Sequence, residues 1–129
     1  MECSCYYFHL EPPEMMLGAG IYQFPKPLLE AYRHAVVHPK HGPQLARATK
    51  TITQNGEFTL GGRHYKLMPR GFDPQHENAE YLLHNGLHVG TTVKIPPELY
   101  SAGLIDYCFA RYRQMNPLHK WLVAMTERI

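Results

Sequence analysis

Tyr6 to Leu10 is an aromatic-rich run that stops at Glu11-Pro12-Pro13, and few folds accommodate such an opening. The composition is that of a strand, and two prolines cannot continue a strand ladder. Side chains alternate along a strand, so Tyr6, Phe8 and Leu10 share one face while Tyr7, His9 and Glu11 share the other. Met15 to Tyr22 reads as a second strand, and the proline turn makes the two an antiparallel hairpin. Gly18 and Gly20 interrupt it, which signals a bulge or another group lying close to the backbone. A hairpin with one apolar face needs a covering layer.

The rest of the chain supplies that layer. Pro25-Lys26-Pro27 opens a helix with proline in its first turn. Leu28, Leu29, Tyr32, Ala35 and Val36 form its apolar stripe, and Pro39 ends it at His38. A second helix spans about Pro43 to Thr53, with Leu45, Ala48, Thr49 and Ile52 inward and Asn55-Gly56 as its left-handed ending. Glu57–Leu60, Gly61-Gly62 and Arg63–Met68 read as a hairpin, with Phe58, Leu60, Tyr65 and Leu67 facing the core and His64 and Lys66 facing away. A proline- and glycine-bearing loop from Pro69 to Pro74 leads to a short helix with Ala79, Leu82 and Leu83, closed by Asn85-Gly86. Val89, Thr91, Val93 and Ile95 alternate as a strand that stops at Pro96-Pro97. Leu104, Tyr107, Cys108, Tyr112 and Met115 make a helical stripe. Asn116 and Pro117 then start a last helix with Leu118, Trp121, Leu122 and Met125 inward. Hairpins with helices between and after them predict an α+β fold, an antiparallel sheet packed on one side by helices and ending in a helical C-terminus.

The 129 residues fit a single domain, residues 1–129, and a hydrophobic fraction of 44% supports a real core. A net charge of +2, with Arg47, Lys50, Arg63, Lys66, Arg70, Arg111 and Arg113 scattered, argues against nucleic acid, which selects a concentrated basic stripe. Cys3, Cys5 and Cys108 are too few and odd in number for a disulfide framework, and the Cys-x-Cys spacing is poor for a zinc site. No secretory signal is visible, and no apolar stretch approaches the roughly 18 residues that span a bilayer. The expectation is a soluble protein of the cytoplasm.

Four segments carry a resemblance to a bacterial and fungal family, the domain of unknown function 2461. They are Tyr6-Tyr7-Phe8-His9-Leu10-Glu11-Pro12, Leu17-Gly18-Ala19-Gly20-Ile21-Tyr22, Tyr65-Lys66-Leu67-Met68-Pro69-Arg70-Gly71-Phe72-Asp73 and Leu82-Leu83-His84-Asn85-Gly86-Leu87. Asn116-Pro117-Leu118 near Leu122 fits the family's ending. Asn85 stands where a lysine is usual. In members of that family a long stretch of helices and strands precedes the first segment, so the resemblance implies that this chain is the C-terminal part of a longer domain with its N-terminal part missing. The strand Tyr6 to Leu10 would then be a bare edge, and such an edge invites a homodimer.

A binding site is expected on the sheet face away from the core. Tyr7, His9 and Glu11 share that face, His64 and Lys66 join it if the second hairpin packs alongside, and Arg70, Asp73 and His76 follow in the next loop. Lys66 and Arg70 suit a carboxylate or phosphate, and His9, Glu11, Asp73 and His76 suit a divalent metal or acid–base work. No spacing matches a known catalytic or metal motif, and no cofactor is specified. The sequence therefore favours a non-catalytic binding or interaction domain over two alternatives. One is a small metal-binding or hydrolase-like enzyme built on those four residues; the other is a truncated fragment without function.

Overall fold

The computed structural model describes residues 3–95 and 103–128. Its elements follow the hydrophobic periodicity. The opening hairpin is β1 (Cys5–Glu11) and β2 (Glu14–Ile21), paired antiparallel with Glu11 opposite Glu14 and Cys5 opposite Gly20. Two helices follow, α1 (Lys26–Val37) and α2 (His41–Thr53). Then come β3 (Thr59–Arg63), a 3-10 turn (Ala79–Leu83), β4 (His84–Lys94) and a long helix, α3 (Gly103–Glu127). The strands form one antiparallel sheet in the order β1-β2-β4-β3. The fold is α+β, as expected from the hairpins and helices.

The core lies between one sheet face and the helices. Met15, Leu17, Ala19 and Ile21 of β2 and Leu87 and Val89 of β4 are buried under Leu28, Tyr32 and Val36 of α1, Leu45 and Ile52 of α2, and Leu118, Leu122 and Met125 of α3. The Trp121 indole Nε1 donates to the His41 carbonyl at 2.8 Å and ties α3 to the start of α2. The Tyr32 hydroxyl, fully buried, donates to the Tyr81 carbonyl at 2.7 Å. No described helix is long and apolar enough to cross a membrane.

Three sequence expectations give way. The Gly61-Gly62 pair is not a hairpin turn: β3 runs through it and pairs with β4, and residues 64–68 form no strand. Gly62 sits at φ 107, inside a register shift between Gly61 and Arg63, where a Cβ would collide with the Gly86 carbonyl. A turn signal is thus spent on a bulge, because glycine serves both. The amides of His64 and Tyr65 donate to the Leu83 carbonyl at 2.9 and 2.8 Å, turning the chain off the sheet and leaving Leu67 exposed.

Asn85-Gly86 closes no helix. It lies inside β4, which begins one residue earlier, and the Phe24 amide donates to the Asn85 carbonyl at 2.7 Å. Nor does Pro117 start a new helix, since α3 passes straight through it. An interior proline costs about 3 kcal/mol, whereas each large apolar side chain buried gains about 1.5–3 kcal/mol. Met115 before the proline and Leu118, Trp121, Leu122 and Met125 after it are all buried on one helix, so packing outweighs the lost hydrogen bond. The expected end of β4 at Pro96-Pro97 lies outside the described residues.

Candidate functional site

All described helices that touch the sheet pack on its inner face, so the outer face is open. Across it, strand pairing sets residues in rows. One row is Tyr7, Gly18, Gly90 and Thr59; the next is Cys5, Gly20, His88 and Gly61. Four of these eight positions are glycine, although glycine weakens a strand. The result is a floor of bare backbone, walled by the side chains that remain.

Two rings already use that floor. The Tyr7 ring lies over Gly18, where any Cβ would collide with it, and the His88 ring lies over Gly61 in the same way. Tyr22 stacks on His88, with ring centroids 5.6 Å apart and planes 19° from parallel. Gly90 stays uncovered by a ring, its position 3.8 Å from the Tyr7 hydroxyl when a Cβ is built there. Tyr7, Tyr22, Gly61, His88 and Gly90, with Met16, Thr59, Thr92 and Glu57, line a depression of about 580 Å³. That size suits a small ligand.

The site is electrically quiet. Burial pushes the Tyr7 phenol above its usual range, with smaller upward pushes from Cys5 and Tyr22. Burial also lowers the His88 imidazole, which is therefore neutral at pH 7. Glu57 at the rim is 3.6 Å from the Arg111 guanidinium of α3, so its charge already has a partner. Neutral rings over exposed peptide groups favour stacking and hydrogen bonding rather than ion capture.

The seven residues expected at a site divide into separate places. Tyr7 belongs to the depression. His9 and Glu11 share its face but sit farther along, in a shallow cleft with Glu14 and Met16; His9 Nε2 is 3.7 Å from Glu11 Oε2 and both side chains are exposed. Arg70, Asp73 and His76 line a different groove of about 560 Å³, against Glu30, Arg33 and His34 of α1. Their loop is drawn to α1 because Asn78 Nδ2 donates to the Val36 carbonyl at 3.2 Å and Phe72 lies against His34, ring centroids 5.7 Å apart. Lys66 is exposed in the segment that leaves the sheet after β3. The condition for its joining the outer face, a second hairpin beside β1, is not met: β3 holds the opposite edge. His9, Glu11, Asp73 and His76 therefore do not converge, and no group of three or more His, Cys, Asp or Glu suited to a metal occurs among the described residues.

Sequence reasoning missed His88, Tyr22 and Gly90. The signal for His88 was available, since Val89, Thr91 and Val93 inward force His88, Gly90 and Thr92 outward. What it lacked was the pairing that brings Gly18 and Gly90 side by side.

A family model described as a conserved hypothetical protein, DUF2461, matches residues 1–121. The chain belongs to this family. No curated protein and no solved structure shows significant similarity to it. Within the DUF2461 chain, two of the four resembling segments, the Tyr6 and Leu17 runs, supply Tyr7, Gly18, Gly20 and Tyr22 of the outer face. In the Tyr65–Asp73 run, Arg70 to Asp73 instead line the groove against α1.

Proposed function

We propose that this DUF2461 chain is a non-catalytic binding domain whose ligand lies on the glycine-floored face of the sheet. The observation that carries this is the uncovered backbone at Gly90, between the Tyr7 ring lying over Gly18 and the Tyr22–His88 stack whose imidazole lies over Gly61. A flat, uncharged group fits best, because it stacks on neutral rings and meets peptide edges without bringing a charge that lacks a partner. The test is a thermal-shift panel of adenosine, guanosine, riboflavin and tryptophan against the wild type and Gly90→Val. A ligand at a hundred times its Kd adds about 2.7 kcal/mol to stability. At least one compound is expected to raise Tm by several degrees in the wild type and not in Gly90→Val, whose side chain fills the floor. No shift from any compound, or equal shifts in both proteins, sinks the reading.

A second surface in this reading is the open edge of β1, offered to another copy of the chain. The same bare edge supports reading the chain as the C-terminal part of a longer family domain, which an in-frame continuation of the coding sequence upstream would establish. Three free thiols, Cys3, Cys5 and Cys108, favour the reducing cytoplasm as its compartment.

A further inference from the structure

β1 is an edge strand with β2 on one side and, among the described residues, no strand on the other. Natural edges are blunted by lysine, proline or a bulge within the strand. Cys5–Glu11 contains none of these and pairs with β2 without a register break. Its helix-side stripe is left partly uncovered: Tyr6, Phe8 and Leu10 are 38%, 46% and 46% exposed.

The helix above shows why. Ser4 Oγ is hydrogen-bonded to His119 Nδ1 at 2.8 Å, and the Tyr6 hydroxyl donates to Asn116 Oδ1 at 2.7 Å. Tyr6 also meets the Tyr112 ring edge-on, centroids 5.0 Å apart. Residue numbers fall along α3 as they rise along β1, so the two run antiparallel. Ile105, Phe109, Tyr112 and Asn116 follow helical spacing and share one stripe. The C-terminal half of that stripe rests on β1, while Ile105 and Phe109, toward the Leu10 end, are 64% and 59% exposed. They leave apolar surface on the same helix stripe that rests on β1.

We infer that the edge pairs with the β1 of a second copy, antiparallel about a two-fold axis through Phe8. The inference rests on reading β1 as a partner surface and goes beyond it by fixing axis and register. A one-residue slip would turn one apolar stripe to the wrong face, so the permitted registers differ in steps of two. Ser4, buried and bonded to His119, ends the free edge on one side and the Pro12–Pro13 turn ends it on the other. The register that pairs all of Cys5–Glu11 places Phe8 opposite Phe8, Tyr6 opposite Leu10, Tyr7 opposite His9 and Cys5 opposite Glu11. Aromatic meets apolar on the inner face, and no like charges meet on the outer face. Ile105 and Phe109 of both copies then cover the new junction. Tyr112 lays a hydroxyl on the Tyr7 carbonyl at 2.8 Å, a single bond that the incoming strand displaces.

The register makes Cys5 a reporter, because it is exposed and faces the partner's Glu11. Sedimentation of the full chain under reducing conditions, from micromolar to millimolar, measures association for Cys5→Ser, Cys5→Lys and Cys5→Glu. Lysine creates two opposite-charge pairs per dimer and glutamate two like-charge pairs, so at low salt Kd should fall and rise by about threefold or more respectively. Both changes should shrink in 0.5 M salt, about the ionic strength at which surface pairs are screened. A dimer that responds identically to lysine and glutamate overturns the axis but leaves the edge reading standing. A monomer at every concentration overturns both, while ligand shifts on the glycine floor are unaffected by either result.

Discussion

His84 is buried, and its Nδ1 has no hydrogen-bond partner among the described residues. Protonating that nitrogen would place an unsatisfied charged donor in the interior, so burial lowers its pKa. His88 and His119 are lowered by burial as well. Each is depressed in the folded state relative to about 6.5 in the unfolded chain, so below that pH the unfolded state binds more protons. The stability these groups contribute is complete above about pH 6.5 and declines as pH falls through their folded pKa values. Tm should therefore be lower at pH 5.5 than at pH 7.5, and His84→Gln should shrink the difference. An unchanged difference in the variant, followed by circular dichroism, contradicts the assignment to His84. A related single-residue effect concerns Gly18: an alanine there displaces the Tyr7 ring, whose end can swing into solvent. Its cost should fall at the low end of the about 1–3 kcal/mol of overpacking, measured by urea denaturation.

Among the elements, α3 carries the largest internal conflict. Pro117 removes one amide from a helix whose neighbouring turns hold Met115, Leu118, Trp121, Leu122 and Met125 in the core. Because the helix is continuous regardless, Pro117→Ala should restore the hydrogen bond and relieve the ring contact without moving those side chains. The expected gain is about 1–3 kcal/mol in urea denaturation, part of the usual proline cost. Destabilisation by this substitution would mean that the proline ring itself is required for packing. Trp121→Phe probes the opposite case, since it keeps most of the apolar surface and removes the indole bond to the His41 carbonyl. The orphaned carbonyl should cost about 1–3 kcal/mol.

At the scale of the molecule, one sheet carries two surfaces of different character. Three helices cover the inner face over β2 and β4 but leave it partly open over β1; the outer face is open and floored by glycine; and among the described residues no strand follows β1 at the sheet edge. The proposed pairing through that edge would link association to folding. Mass action then requires Tm to rise with protein concentration, whereas a monomer melts at the same temperature throughout. Differential scanning calorimetry over a hundredfold concentration range checks this, and Phe8→Lys, which sets two lysines face to face on the axis, should remove the dependence.

The alternation of Tyr6 to Glu11, the Pro12-Pro13 turn, the stripes of α1 and α2 and the register of Val89, Thr91 and Val93 were legible in the sequence, because each is a local periodicity of backbone geometry. Tyr7 on the outer face followed from the same parity. The Gly61-Gly62 hairpin, the Asn85-Gly86 cap and the Pro117 break did not survive, because each local signal met a packing or pairing term that reached across the chain. The grouping of site residues was decided in the same way. Asp73 and His76 went to α1 through Asn78, and Gly18 met Gly90 through a strand pairing 72 positions apart in sequence. Local chain geometry determines which way a side chain points, but what it points at is set by contacts between residues distant in sequence, and only the folded chain brings those together.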